Sequence, residues 1–135
     1  MFALRLSAHE LSSLSANEIE EKVFEGVKRM IRRSTGLSER RSWANSLPIL
    51  ANDLIRAGLG QVEVLVEYSI PGNSERADAV LAGVHPGSGE DSFLVVELKQ
   101  WREVRLLSDR PGKVDVAGVP GRKRDHPGSQ VEKYC

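Results

Sequence analysis

A single cysteine, Cys135, occurs in the whole chain. No internal disulfide and no cysteine-rich zinc site can therefore form, a usage that fits a reducing cytoplasm. Net charge is absent as well: 19 Lys and Arg residues balance 19 Asp and Glu residues. The total gives no support to a protein that coats nucleic acid by charge alone. Basic side chains nevertheless outnumber acidic ones after residue 100, so a local basic groove stays open. No apolar stretch approaches the roughly 18 residues of a membrane span, and the opening Met1 to Arg5 lacks the basic-then-apolar pattern of a secretory leader. There is no internal repeat, no low-complexity tract and no G-x-x-x-x-G-K-[ST] phosphate loop. These absences describe a soluble, cytoplasmic protein with no membrane partner, and 135 residues suit one domain.

What is present has a clear order. Ser15 and Glu18 are spaced as a capping box, and Ile19, Val23, Val27, Met30 and Ile31 recur at helical spacing, which predicts a first helix over about residues 16 to 33. A polar joint from Ser34 to Ser42 follows. Trp43, Leu47, Leu50 and Leu54 form a second apolar stripe, with Pro48 suited to a first turn and Gly58 to a C-terminal stop. From Gln61 the period changes to alternation, with Val62, Val64 and Val66 on one face. A strand closes at the turn from Pro71 to Ser74. Two further strands are expected over Arg76 to Leu81 and Phe93 to Gln100, joined through the turn cluster from His85 to Gly89. Asp109 to Gly121 holds too much Gly and Pro for a long regular element, and a last helix is expected from His126-Pro127. This order argues for an α+β or α/β sandwich with a central sheet.

Chemistry gathers around the expected hairpin. A strand from Phe93 puts Phe93, Val95, Glu97 and Lys99 on one face. A hairpin centred between Gly87 and Ser88 sets Asp78 opposite Glu97, two carboxylates on adjacent strands. Like charges so placed are unfavourable unless a cation lies between them. Oxygen donors that leave room for water and phosphate suit Mg²⁺, with Mn²⁺ as a substitute, rather than zinc. Asp78, Glu97 and the Leu98 carbonyl are the candidate ligands, and Lys99 could stabilise charge growing on a phosphate. The plainer alternative is a surface ion pair between Glu97 and Lys99, with Asp78 a charge beside the turn.

Asp78 followed by Glu97-Leu98-Lys99 resembles the D…(D/E)-x-K motif of the PD-(D/E)XK nuclease superfamily, with Ala77 where the motif's proline would stand. Gln130-Val-Glu-Lys-Tyr134 is similar to the Q-x-x-x-Y motif of its RecB-like members; four residues apart, the two side chains would share a helix face. A longer resemblance, carried by Trp43 to Pro48, Glu67-Tyr68, Arg76 to Gly83, Val95 to Trp101 and His126 to Gln130, is to the N-terminal region of bacterial Schlafen-like DNA/RNA helicase proteins, most of which are described as a domain of unknown function. The resemblance implies a restriction-endonuclease-like core, a mixed central sheet flanked by helices. It implies a Mg²⁺-dependent nuclease acting on DNA before RNA, and a covalently attached helicase or ATPase domain beyond a C-terminus that here stops short. Gln130 and Tyr134 would then help hold DNA or orient the lysine.

Several assignments stay open at this level. Glu67 is eligible as an extra acidic ligand, a base orienter or a solvated strand end. Glu18, Glu21 and Glu25 are each eligible as an assisting first-helix glutamate. Arg76 suits a carboxylate or a phosphate, His126 a helix entry or the site, and Trp101 a covered sheet end or a stacked base. The basic run Arg122, Lys123 and Arg124 suits a nucleic-acid backbone. A non-cleaving nucleic-acid-binding or regulatory module of a helicase is the competing functional class, and an interaction domain without nucleic acid a third.

Overall fold

The computed structural model describes residues 1–31, 35–72, 74–100, 104–106, 113–116 and 123–125. They belong to two units, Met1–Leu98 and Lys99–Cys135.

The first unit opens with strand β1 (Leu4–Ser7) running directly into helix α1 (Ala8–Ser12). Neither was expected, because four or five residues are too few to establish a period. The turn between them has its own local logic: Ser7 Oγ accepts from the Glu10 amide while the Glu10 carboxylate accepts from the Ser7 amide, a second capping box. Helix α2 (Ala16–Met30) starts at the expected box, Ser15 with Glu18, and buries Ile19, Val23 and Val27. It stops at Met30, because Ile31 is extended (φ −130, ψ 136).

Helix α3 (Leu37–Arg56) corrects the sequence reading at its start. Residues 37 to 42 of the segment taken for a polar joint form its first turns, and Pro48 lies inside the helix rather than at its entry. Tertiary contacts compensate for the weak local signal. Arg40 Nε donates to Glu20 Oε1 of α2 at 2.7 Å and its guanidinium lies 4.2 Å from the Phe24 ring centre. Of the expected stripe Trp43, Leu47 and Leu54 are buried and Leu50 is half-buried, with Ala51 completing the buried face. The stop at Gly58 holds, since Gly58 is left-handed (φ 74) and the Leu59 amide donates back to the Leu54 carbonyl at 2.8 Å, the Schellman closure.

Strands β2 (Glu63–Ser69), β3 (Arg76–Val84) and β4 (Asp91–Val96) complete a sheet in the order β1-β2-β3-β4. All its pairings are antiparallel, where the resemblance implied a mixed sheet. The short β2–β3 and β3–β4 connections account for two of them, since parallel neighbours need a long crossover. Val64, Val66 and Ala79 from one face of the sheet pack with Ile19, Val23, Val27, Trp43, Leu47 and Ala51 of the helices. Each large side chain so buried contributes roughly 1.5–3 kcal/mol of transfer free energy. At Gly26 a Cβ would fall 1.9 Å from the Ala3 carbonyl oxygen, so α2 lies as close to the chain entering β1 as a bare backbone permits. Three helices set between the first strand and the other three of an antiparallel sheet make this unit an α+β fold.

In the second unit β5 (Val104–Leu106), β6 (Lys113–Val116) and β7 (Lys123–Asp125) pair antiparallel in that order. Strand β6 falls within the stretch expected to be irregular: Lys-Val-Asp-Val alternates, but the neighbouring Gly and Pro residues mask it. Strand β7 takes Lys123 and Arg124 into a ladder. Arg122, Trp101 and the expected final helix, with His126, Gln130 and Tyr134, lie outside the described residues.

Candidate functional site

The β3–β4 ladder pairs Ala79 with Val96, Val80 with Val95 and Leu81 with Leu94. This is the register expected from a hairpin centred between Gly87 and Ser88. The loop that fixes it is held locally: the amides of Gly87 and Ser88 both donate to His85 Nδ1 at 3.2 Å, and Gly89 is left-handed (φ 72). The ladder's last pair on this side is Ala79 with Val96, so the expected pair of Asp78 with Glu97 falls one step beyond it. The strand itself ends earlier than the sequence suggested. β4 stops at Val96, so Glu97 is the first residue beyond it and Lys99 and Gln100 are outside any strand. A physical reason is visible at the end of the ladder, where the Leu98 amide donates to Asp78 Oδ2 at 2.7 Å. A side chain has taken the place of a backbone acceptor.

The β2–β3 register pairs Val66 with Ala79 and Tyr68 with Ala77. The position between them sets Glu67 beside Asp78 in one row of the sheet, and Glu97 follows directly on the end of β4. Strict alternation would leave Glu67 with Glu63 and Leu65, on the face away from the helices. It departs from that pattern: Glu67 is the non-glycine residue with positive φ among those described (φ 52). Its carboxylate accepts from Trp43 Nε1 of α3 at 2.8 Å, and it is 6% exposed, which removes the solvated alternative. Arg76 Nη1 stands 2.8 Å from Glu67 Oε2 but without hydrogen-bond alignment, so the contact is chiefly one of charge. Arg76 Nη2 donates to Glu39 Oε1 at 3.2 Å. Of the two partners left open for Arg76, the structure provides carboxylates. Burial pushes the Glu67 carboxyl above its ordinary value, against the Trp43 hydrogen bond and the Arg76 charge, which lower it; Asp78 and Glu39 add to the rise.

The remaining acidic candidates are distributed elsewhere. Glu18 is used in the cap of α2, and Glu25 lies 3.6 Å from Lys28. Glu21 and Glu25 border a hollow with Leu4 and Leu6 of β1, the sheet edge opposite β4. Among the described residues no group of three His, Cys, Asp or Glu side chains could hold a metal ion. A cation at this row would therefore rest on Asp78 and Glu97 with a backbone carbonyl and water. That donor set fits Mg²⁺, which commonly takes one or two carboxylates and keeps several waters. The Leu98 amide takes one of the roughly four lone-pair positions that a carboxylate offers at Asp78. Lys99 follows Glu97 by two residues in sequence and opens the second unit.

Sequence reasoning missed Glu39 and the part played by Trp43. The one available signal was that a buried indole N–H needs an acceptor, and an Asp or Glu at a strand end is a natural one.

No protein-family model matches the chain, and neither a curated protein nor a solved structure is similar to it.

Proposed function

We propose that the chain carries the site of a Mg²⁺-dependent nuclease of the PD-(D/E)XK kind, hydrolysing phosphodiester bonds in DNA before RNA. The observation that supports this most directly is the hydrogen bond from the Leu98 amide to Asp78, which joins the residue after Glu97 to Asp78 just past the last pair of the β3–β4 ladder. In this reading Asp78, Glu97 and the Leu98 carbonyl hold the cation, with Mn²⁺ able to replace Mg²⁺. The cation, when bound, supplies Lewis acidity toward water and phosphate. Lys99 places an ammonium against the charge that grows on the phosphate as the ester bond breaks. Gln130 and Tyr134 assist in holding the strand or orienting Lys99, and Arg122, Lys123 and Arg124 meet the sugar-phosphate backbone. The resemblance to helicase proteins adds a covalently attached ATPase domain as partner and the cytoplasm as location. Among the described residues no helix is long and apolar enough to cross a membrane.

A non-cleaving nucleic-acid-binding or regulatory module is the second reading, favoured by the lack of any three-residue metal-holding group among the described residues. One experiment separates them: cleavage of single- and double-stranded DNA and RNA with Mg²⁺, Mn²⁺ or chelator, by the chain and by Asp78→Ala and Lys99→Ala. Metal-dependent cleavage lost in both variants supports the nuclease. Binding retained by all three proteins, without cleavage by any, supports the module.

A further inference from the structure

Helix α2 borders the edge of the sheet away from β4. Strand β1 pairs with β2, and its other side carries no strand among the described residues. Leu4 and Leu6 share the face that packs against the core and are half-buried there. Arg5 alternates to the opposite face, held by Glu63 at 2.6 Å, so it does not cover the edge. What remains exposed of the two leucines floors an open hollow of about 400 Å³, and its wall is formed by Glu21, Lys22, Glu25 and Arg29 of α2. Glu21, Glu25 and Arg29 recur every four residues and so stand in one row on the helix. Two charges of that wall are already used: Glu25 lies 3.6 Å from Lys28, and Lys22 acts on Glu18. Glu21 and Arg29, opposite in sign at the two ends of the row, form no ion pair among the described residues.

We propose that the groove between β1 and α2 receives an extended peptide, added to the sheet edge as a further strand, that carries one basic and one acidic side chain four positions apart with an apolar residue midway. The spacing follows from the two geometries. Eight helical residues put Glu21 and Arg29 about 12 Å apart along the axis, and four extended residues cover about 13 Å. In a strand, positions i, i+2 and i+4 face one way, so both charges and the apolar residue between them turn toward α2 and the Leu4 and Leu6 floor. The basic side chain meets Glu21 and the acidic one meets Arg29. Pairing with the edge supplies affinity and the side chains supply choice, as in other strand additions. β1 is four residues long, enough to seat one short segment but a small part of the roughly 800 Å² that each partner of a stable complex buries, which favours a peptide over a second copy of the chain. The groove lies at the sheet edge away from β4, so its occupancy is independent of the nuclease reading.

The test uses the full chain, labelled with ¹⁵N, and end-blocked peptides centred on Arg-Thr-Leu-Thr-Glu or on the reversed order Glu-Thr-Leu-Thr-Arg, which between them cover both strand directions. One order is expected to shift the amides of Leu4 to Ser7 and of Glu21 to Arg29. Replacing either of its charged residues by Gln weakens binding up to about fivefold, the worth of an exposed ion pair. The double variant Glu21→Arg with Arg29→Glu changes two exposed positions of α2 and keeps good helix formers at both. It is expected to prefer the opposite order by at least about fivefold, a reversal that a loss of folding would not produce. Binding that ignores the swap, shifts confined to β4, or no shift with either order at about 1 mM peptide overturns the proposal. So does a change at Leu4 to Ser7 with the concentration of the chain alone, which would seat a second copy on the edge.

Discussion

Glu67 concentrates the conflict between stability and chemistry in one residue. Its carboxyl is raised because burial outweighs the Trp43 and Arg76 contacts. The sign of its linkage follows: a group whose folded pKa is raised contributes stability below its unfolded pKa and loses it as pH rises through the folded value. Relative to Glu67→Gln, the parent chain is therefore expected to lose stability from mildly acidic toward neutral and higher pH, measured as urea midpoints of both proteins across that range. An equal pH profile for the two would show that Glu67 ionises in the fold as it does unfolded. Trp43→Phe removes the indole donor and is expected to cost about 1.5–3 kcal/mol, the range for a hydrogen bond to a charged group, read from the same denaturation curves. Legibility differed sharply between neighbouring residues. The register of β3 with β4 was readable, because a Pro-Gly turn fixes a hairpin's centre and the pairs follow by counting. The burial of Glu67 was not, because a positive φ at a glutamate leaves no trace in a pattern of alternating residues.

At the scale of elements, local signals succeeded where they were long or doubly marked. The start of α2 was readable from Ser15 and Glu18, and the end of α3 from Gly58. Failures came where tertiary contacts decide: the first turns of α3 are polar and are held by Glu20 and Phe24 of another helix. In β6 an alternation of four residues was outweighed by its glycine and proline neighbours, and β1 was too short to read. Two substitutions test this account. Ser15→Ala leaves the Glu18 amide without its cap and is expected to lower unfolding free energy by about 1 kcal/mol. The capped form also holds the Glu18 carboxyl below its ordinary value, so this contribution is present at neutral pH and fades as pH falls through the folded pKa. Gly26→Ala drives a methyl into the Ala3 carbonyl and is expected to cost about 1–3 kcal/mol as overpacking, although alanine is the better helix former. A thermal melt decides between the two effects: a higher midpoint would mean that β1 can move away from α2.

For the whole molecule, the question is whether the acidic row is a liability of the fold or a binding site that the fold sustains. Asp78 lies beside Glu67 and raises its carboxyl, so the chain carries a repulsion that an uncharged residue at 78 would avoid. Asp78→Asn tests what that repulsion is for. The amide oxygen still accepts from the Leu98 N–H, while the like charge is gone, so in chelator this variant is expected to be as stable as the parent or more so, as sites kept for function commonly allow. Excess Mg²⁺ should reverse the order. A cation that binds only the folded parent adds about 2.7 kcal/mol at a hundredfold excess over its Kd, and the variant, missing one of two carboxylates, gains little. Urea unfolding of both proteins with chelator and with Mg²⁺ gives four free energies whose double difference is the linkage itself. A double difference near zero removes the cation and with it the nuclease, leaving the acidic row to the binding-module reading. A clearly positive one ties global stability to Asp78 through the ion, and cleavage lost in Asp78→Asn would then identify a chemical defect in a protein that is otherwise better folded.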